Sequence, residues 1–219
     1  MKAELQRYTQ LISKSIPGEL EQLLRRLVIH YFFHVSNKRN IEITAENSGT
    51  PNTLNVQTPC VFKGQGHFKL AATAVFGWID SPGSYTCSHF EAKTAESRIE
   101  VGENTAINNR AALISQGASI RIGKRCNIGP EVYILDSNGH ELPVNRRGFP
   151  DNRPKPVIIE DDVFIGARVT ILKGVHIGRG SVVAAGSVIP PNFVAPELSI
   201  IAGNPAAIVG RVSESDANS

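Results

Sequence analysis

The chain has 219 residues, of which 41% are hydrophobic and 20% are charged, and its formal net charge is +3. These values are typical of a globular protein with one substantial core, and they argue against a disordered or membrane-spanning chain. The charge is too small and too scattered to predict a nucleic-acid-binding surface. Three cysteines, Cys60, Cys87 and Cys126, lack metal-ligand spacing. They predict neither a disulfide framework nor a zinc site, and with the polar N-terminus they favour a cytoplasmic location.

The first forty residues contain a predicted helix. Apolar residues recur near helical spacing from Gly18 to Val35 and give this segment one strongly apolar face. Two arrangements fit such a helix: it packs against the main body, or it rests on an anionic membrane surface with Arg25 and Arg26 near the headgroups. Packing is the plainer interpretation, and peripheral membrane contact stays open. We assign residues 1–40 to this helical segment.

From Ile41 onward the sequence changes to short apolar steps separated by Gly, Asn and Ser. Aligned in sixes, it has an aliphatic residue at each first position and often a small or β-branched residue at each fifth position. Copies begin at Val101, Ile107, Leu113, Ile122, Ile128, Ile159, Ile165, Ile171, Ile177 and Val183. Such self-similarity indicates a solenoid whose stacked rungs, about 4.8 Å apart, hydrogen-bond to one another. The sequence predicts an all-β solenoid over residues 41–211 and a disordered tail over residues 212–219.

These hexads resemble those of the hexapeptide-repeat acyltransferases, most clearly from Ile99 to Arg211. The resemblance implies a left-handed parallel β-helix with three hexads per triangular coil. On that basis the hexads at Val101, Ile107 and Leu113 form one coil. The next coil has hexads at Ile122, Ile128 and Ile134, with Ser119 to Arg121 as a small bulge between the two. The family also implies a homotrimer with sites between neighbouring prisms, acetyl-CoA as acyl donor, a saccharide acceptor, and no metal.

A long segment, residues 135–157, interrupts the repeat with turn-forming and charged residues that cannot lie inside a prism. It must project outward, where loops on rigid scaffolds frequently carry function. His140 is its one side chain that exchanges a proton readily near neutral pH. Asp136 precedes it by four residues and can fix the imidazole tautomer if the loop folds back. An isolated loop histidine is more often only solvated, but DSNGHEL resembles the family's D-S-x-x-H motif, which implies that His140 is the general base.

The resemblance implies further contacts to the acceptor. Asn108 matches a family asparagine that contacts the acceptor sugar, although an asparagine is equally at home in a β-helix turn, and Asn109 is a weaker candidate. Three loop arginines either face an anionic acceptor or are simply solvated: Arg146, Arg147 and Arg153.

For the donor, the resemblance places a pantetheine arm along the later coils. Backbone groups of Gly166, Ala167 and Ala185 would bond its amides, and the same small residues also suit tight β-helix turns. The chain departs from many relatives at two places, with Pro190-Pro191 where a Thr-Lys pair is common and Ala207 where a cation is common. Replacement contacts to the CoA phosphates are expected from Arg179, Arg211 and Lys173.

The resemblance implies O-acetyl transfer to a sugar or polysaccharide precursor, and two other functions stay open beside it. The trimeric β-helix carbonic anhydrases bind zinc through three histidines, but His67, His89 and His176 do not share a position in the repeat. A scaffold without catalysis would also tolerate the loss of phosphate-contacting cations. Retention of DSNGH in a protruding loop favours the enzyme. Within enzymes, serine, an amino sugar or an antibiotic are the alternative acceptors.

Overall fold

The computed structural model describes residues 17–30, 40–45, 53–83 and 86–213. Within these residues, one α-helix, α1 (Pro17–His30), precedes a series of short strands. In chain order the strands are β1 (Ile41–Thr44), β2 (Asn55–Val56), β3 (Cys60–Gly64), β4 (His67–Ala71), β5 (Val75–Phe76), β6 (Ser88–Ala92), β7 (Arg98–Val101), β8 (Ala106–Ile107), β9 (Ala112–Ser115), β10 (Ser119–Ile122), β11 (Asn127–Ile128), β12 (Tyr133–Leu135), β13 (Val157–Ile159), β14 (Phe164–Ile165), β15 (Thr170–Ile171), β16 (His176–Ile177), β17 (Val182–Val183), β18 (Val188–Ile189), β19 (Val194–Ala195), β20 (Ser199–Gly203) and β21 (Ala206–Arg211).

Each strand pairs with the strand three places further along the chain, so the strands form three faces of a prism. Face A has the order β1-β4-β7-β10-β13-β16-β19, face B has β2-β5-β8-β11-β14-β17-β20-β21, and face C has β3-β6-β9-β12-β15-β18 in spatial sequence. All pairings are parallel except β20 with β21, which is antiparallel. This is a triangular parallel β-helix, consistent with the left-handed β-helix that the family resemblance implies. We name its edges by the faces they join. The chain turns from face A to face B at corner AB, from face B to face C at corner BC, and from face C back to face A at corner CA.

The predicted hexad register is confirmed. Ile122 pairs with Val101 and Ile159 on face A, Ile128 pairs with Ile107 and Ile165 on face B, and Ile134 pairs with Leu113 and Ile171 on face C. All these side chains are buried. The fifth positions are buried too, and where they are polar they bond to the backbone, as Thr105 Oγ1 does to Gly123 O at 2.7 Å. Like residues therefore stack on like along the core.

One detail of the predicted coils is wrong. Residues 119–121 were expected to bulge out between two coils, but they belong to β10, which pairs with β7 through Ile120 to Ile99 and Ile122 to Val101. Ile120 is fully buried. The alternation of apolar and polar residues in Ser119–Ile122 is that of a strand with one buried face. The residues therefore form a strand, although they precede the six-residue repeat that begins at Ile122.

The first coils differ from the later ones because aromatic rings fill them. Phe62 stacks on Phe90 at a centroid distance of 4.8 Å and meets Phe68 and Phe76 edge to face at 5.5 and 5.6 Å. Offset-stacked and edge-to-face arrangements are the favourable ones for aromatic pairs. The early coils, which resemble the repeat only weakly in sequence, are thus closed by a phenylalanine cluster instead of stacked isoleucines.

The predicted N-terminal helical segment, residues 1–40, is described only over part of its length. Helix α1 covers Pro17–His30, and Leu24 in it is exposed. The predicted continuation to Val35 falls on residues 31–39, which lie outside the described residues, and most of the predicted tail, residues 214–219, does as well. Among the described residues no helix has the length and apolar character needed to cross a bilayer.

Candidate active site

The connection between β12 and β13 projects from corner CA, and we call it the finger, residues 136–156. Its base is closed by a hydrogen bond from Lys155 N to Asp136 O at 2.7 Å. Further out, His140 forms an antiparallel bridge with Pro150, and Glu141 N donates to Phe149 O at 3.1 Å. Residues 142–150 are exposed. The finger is thus a narrow, internally paired projection with His140 near its middle.

Asp136 anchors the finger to the prism. Its carboxylate is fully buried and accepts three hydrogen bonds, from Ser115 Oγ at 2.7 Å, Gln116 N at 2.7 Å and Ala118 N at 2.9 Å. The expected pairing of Asp136 with the His140 imidazole is therefore wrong, because the carboxylate is already occupied by the preceding coil. Burial raises the pKa of Asp136, against the lowering effect of these hydrogen bonds. Asp136 positions the finger and does not orient the imidazole.

His140 itself is exposed, and its imidazole has no partner among the described residues. The residue before it is held firmly: Gly139 O accepts from Gln116 Nε2 at 3.0 Å and from Asp151 N at 3.3 Å. Gly139 has φ +77°, in the left-handed region that favours glycine. The backbone at His140 is thus fixed while both ring nitrogens stay available to an external group.

A second buried carboxylate, Asp151, holds the returning half of the finger, and sequence reasoning missed it. Its Oδ2 lies 2.5 Å from Lys173 Nζ, and the two side chains are 5% and 12% exposed. Backbone N–H groups of Asn138 and Arg153 also donate to it, at 2.8 and 3.1 Å. Burial alone would raise the pKa of Asp151, but these hydrogen bonds and the Lys173 charge outweigh it and leave the pKa below its ordinary value.

This pairing corrects the expectation for Lys173, which was a candidate phosphate contact for CoA. Its ammonium also donates to Arg153 O at 2.9 Å, so the finger occupies it. Arg146 is likewise engaged, in an ion pair with Glu141 at 2.7 Å and over the Phe149 ring at 4.3 Å. A cavity of about 470 Å³ lies between the finger and corner CA, with Leu142 on one side and Pro191 on the other.

A second groove of about 470 Å³ lies on face B and contains Asn108. Asn109, the weaker candidate for substrate binding, is instead fully buried. Its side chain bonds the loop after β5, accepting from Trp78 N at 2.9 Å and donating to Trp78 O at 2.8 Å and Ser81 O at 3.1 Å. The prediction that Asn109 binds substrate is wrong, because its amide has no free group to offer. It holds one wall of the groove.

The predicted donor-binding residues fall into two sets. Gly166, Ala167 and Ala185 lie together at corner BC, where a Cβ on Gly166 would stand 2.6 Å from Ala185 N. Arg179 and Arg211 lie across face B at corner AB: Arg179 is 3.8 Å from Asp162, and Arg211 Nη2 is 3.5 Å from Glu197 O. Within one chain the arginines are therefore not beside the backbone groups that would bond pantetheine.

The histidines outside the finger are dispersed. His89 lies 3.1 Å from Glu91, and His176 Nε2 lies 2.7 Å from Glu160 Oε1. Across the part of the chain that the structure describes, no three His, Cys, Asp or Glu side chains converge in a way that would hold a metal ion.

The remaining candidates lie on different edges of one prism. His140 projects from corner CA, whereas Asn108, Gly166 and Ala185 lie at corner BC, with face C between them. A single chain therefore does not bring the imidazole to the groove. A second prism packed along face C would place one chain's corner CA beside another chain's corner BC.

Comparison with known proteins agrees with this architecture. Residues 156–191 match the family model described as the hexapeptide repeat of succinyl-transferase. A Saccharomyces cerevisiae protein assigned to the acetyltransferases is 38% identical over 120 residues, which are 55% of this chain and 59% of that protein. The tetrahydropyridine-2,6-dicarboxylate N-acetyltransferase of Staphylococcus aureus strain JH9 is 48% identical over 59 residues, 27% of this chain and 24% of that enzyme.

The chain thus spans about three fifths and one quarter of the length of these two relatives. Among solved structures, a hexapeptide-repeat-containing acetyltransferase of Vibrio cholerae is 27% identical to this chain. The match covers 97% of this chain and 90% of that protein, with a TM-score of 0.50. The chain thus has the hexapeptide repeat, visible in sequence, in register and in three stacked faces, and it is similar to hexapeptide-repeat acetyltransferases.

Proposed function

We propose that the protein transfers an acetyl group from acetyl-CoA to a hydroxyl of a saccharide, with His140 as general base. The observation that carries the proposal is the His140 imidazole, exposed and without a partner on a finger whose backbone is fixed by two buried carboxylates. A histidine that is only solvated does not require such anchoring. Its relatives of the hexapeptide-repeat family include acetyltransferases, which supports acetyl-CoA as the donor.

In this mechanism the neutral imidazole takes the proton of the acceptor hydroxyl as the oxygen attacks the thioester carbonyl of acetyl-CoA. A tetrahedral oxyanion forms and collapses, and the C–S bond breaks to release CoA as a thiolate, which takes up the proton held by the imidazolium and restores the neutral base. The chain's own contribution is to hold the imidazole at a set position and to orient donor and acceptor against it. No acyl-enzyme is required.

The proposed site lies between two copies of the chain in a homotrimer. One copy supplies His140 from its corner CA, and the next supplies Asn108 and the small residues Gly166, Ala167 and Ala185 from corner BC. The separation of these groups by face C within one chain supports this arrangement, because neither corner has the full set. Pantetheine would lie against the backbone at corner BC beside Gly166, whose missing Cβ lets the next coil approach closely at Ala185.

An amine acceptor is the alternative within the same chemistry. It is favoured by the local identity to the S. aureus N-acetyltransferase, which covers only a quarter of that enzyme. A non-catalytic scaffold is the alternative outside enzymes.

A direct test measures CoA release from acetyl-CoA with a panel of saccharides, serine and amino sugars, for the wild-type protein and for His140→Ala. Removal of a general base is expected to lower kcat by about 10²- to 10⁴-fold. The matched control is His67→Ala, which removes an exposed histidine at the start of β4, three rungs along face A from β13 and the finger, and should retain full activity. Equal loss in both variants, or no loss in His140→Ala, would remove His140 from the mechanism.

A further inference from the structure

Trp78 is the one tryptophan of the chain and is unusually exposed for its size. Its side chain is 46% exposed on one wall of the face-B groove, and Phe164, on the opposite strand β14, is 50% exposed. Neither ring contacts another aromatic ring or a cation among the described residues. Leaving two large apolar rings in water is unfavourable, so an apolar surface that covers them would bind with a net gain.

The backbone at Trp78 is nevertheless rigidly held. Asn109, fully buried in the next coil, bonds both the N–H and the carbonyl of Trp78 and adds bonds to Ser81 O and Pro82 O at 3.1 and 3.2 Å. One buried amide thus ties the loop after β5 to the prism at four points. The ring is presented in place, and little conformational freedom is lost when something packs against it.

The rest of the groove is polar but almost uncharged. Amide and hydroxyl groups come from Asn108, Asn127 and Ser81, and the one charged side chain that lines it is Asp80. Among the described residues lining the groove there is no Lys, Arg or His. An anionic ligand would meet the Asp80 carboxylate without a compensating cation, which is unfavourable. The volume of about 470 Å³ is within the range of small-molecule sites, about 300–1,000 Å³.

Flat apolar rings combined with several neutral hydrogen-bonding groups match one chemical class well. A pyranose ring has an apolar face of C–H groups and a rim of hydroxyls, each of which both donates and accepts. The C–H face can lie against an indole, while the hydroxyls bond amides and a carboxylate. A small flexible acceptor such as serine has no such face to place on Trp78.

From this geometry we infer that Trp78 is a stacking platform that selects a neutral saccharide as the acceptor, with Asp80 and Asn127 binding its hydroxyls and the Asp80 charge disfavouring acidic sugars. The inference rests on the proposed function, since it names the acceptor class of that same site. It also predicts that the Arg146 and Arg147 side chains are not used to bind an anionic acceptor.

The test uses the indole as its own reporter. Because Trp78 is the one tryptophan, emission excited at the indole band reports on this ring alone. Full-length His140→Ala protein is titrated separately with maltotriose, cellotriose, an α2,8-linked sialic acid trimer, L-serine and CoA. We expect a saturable emission change with at least one neutral trisaccharide and none with the sialic acid trimer or serine. A change with CoA alone, or one that follows protein concentration without sugar, would overturn the inference in favour of a nucleotide or a second copy of the chain on the ring.

Variants provide the second readout, by calorimetry and by the KM for the acceptor. Trp78→Ala should weaken trisaccharide binding on the order of tenfold, Trp78→Phe should restore most of it, and the KM for acetyl-CoA should not change. Ile79→Ala is the matched control, since Ile79 is the next residue of the same loop, 41% exposed, and does not line the groove. Equal affinities in Trp78→Ala and wild type would overturn the inference.

The two proposals fail separately. If acetyl is transferred to a neutral sugar but Trp78 emission does not change, the proposed function stands and this inference is wrong. If Trp78 emission changes with neutral trisaccharides but no acceptor is acetylated, the proposed enzymatic function is wrong and the saccharide-binding site stands.

Discussion

The later coils and the finger are built on opposite principles, although they are adjacent in sequence. In the coils from β13 to β18, the inward positions are almost entirely aliphatic, and each rung is held by its neighbours above and below. In the finger, residues 142–150 are all exposed, and position is set by Asp136 and Asp151, two buried carboxylates that accept hydrogen bonds.

The difference shows how a rigid prism can carry a projection with a defined shape. A loop with no core of its own can be ordered by charge-assisted hydrogen bonds from backbone N–H groups, which are short and stronger than neutral ones. Truncating a buried side chain in the coils should therefore lower the free energy of global unfolding. Loss of a finger contact should instead open the finger locally while the prism stays folded.

The largest effect on folding is expected in the coils. Ile171→Ala removes a fully buried side chain from the stack on face C and should lower the free energy of unfolding by about 2–5 kcal/mol, measured by urea denaturation. Val194→Ala removes two methyl groups from a side chain that is 63% exposed on face A, and its cost should be within about 0.5 kcal/mol. Similar costs for the two would contradict the proposed stacking of the core.

The finger should respond most strongly to loss of Asp151. In Asp151→Asn the Lys173 ammonium stays buried without a counter-charge, a defect that costs about 3–5 kcal/mol when uncompensated. Because the finger can open with the prism intact, the defect should appear as faster amide hydrogen exchange over residues 138–153 and a lower kcat, and the urea midpoint should fall by less than this full cost. Adding Lys173→Met removes the orphaned charge and should recover part of the protection. A uniform loss of protection across the prism would refute the local character of this anchor.

Loss of the Asp136 carboxylate should have a smaller effect of the same kind. Asp136→Asn replaces one acceptor oxygen by an N–H₂ group and leaves at least one of the donors from Ser115, Gln116 and Ala118 unsatisfied, at about 1–3 kcal/mol. If Asp136 oriented the imidazole directly, the variant would instead lower kcat without altering exchange in the finger. The two readouts together separate positioning from catalysis.

The smallest effect concerns the hydrogen bond between His176 and Glu160 in the coils, whose contribution to stability depends on pH. The hydrogen bond from His176 holds the pKa of Glu160 below its ordinary value, so the pair stabilises the fold above about pH 4.3 and loses that contribution as pH falls through the lowered pKa. Both side chains are more than 40% exposed, so the contribution is at most about 1 kcal/mol. Unfolding curves of wild type and Glu160→Gln should differ slightly at pH 6 and converge near pH 3; a constant difference would exclude the pair as the cause.

The same contrast explains what the sequence could predict. The core positions of the coils recur every six residues, so the sequence alone predicts the register of Ile122, Ile128 and Ile134. The finger is encoded by partners that are distant in the chain: Asp136 bonds residues 115–118, and Asp151 bonds Lys173. Proximity in sequence suggested Asp136 as the partner of His140, and proximity to Asn108 suggested a ligand role for Asn109. Both expectations failed because a buried polar group bonds the donors and acceptors nearest to it in space, which need not be nearest in sequence.

The most direct test of the account is subunit complementation, because the proposed site takes His140 from one copy and Asn108 from another. His140→Ala and Asn108→Ala proteins are prepared separately, each with little acetyl transfer, then unfolded together and refolded in equal amounts. In randomly mixed trimers about a quarter of the sites should combine both wild-type residues, so activity should return to about a quarter of the wild-type value. Mixtures that stay as inactive as the separate variants would contradict a site shared between chains.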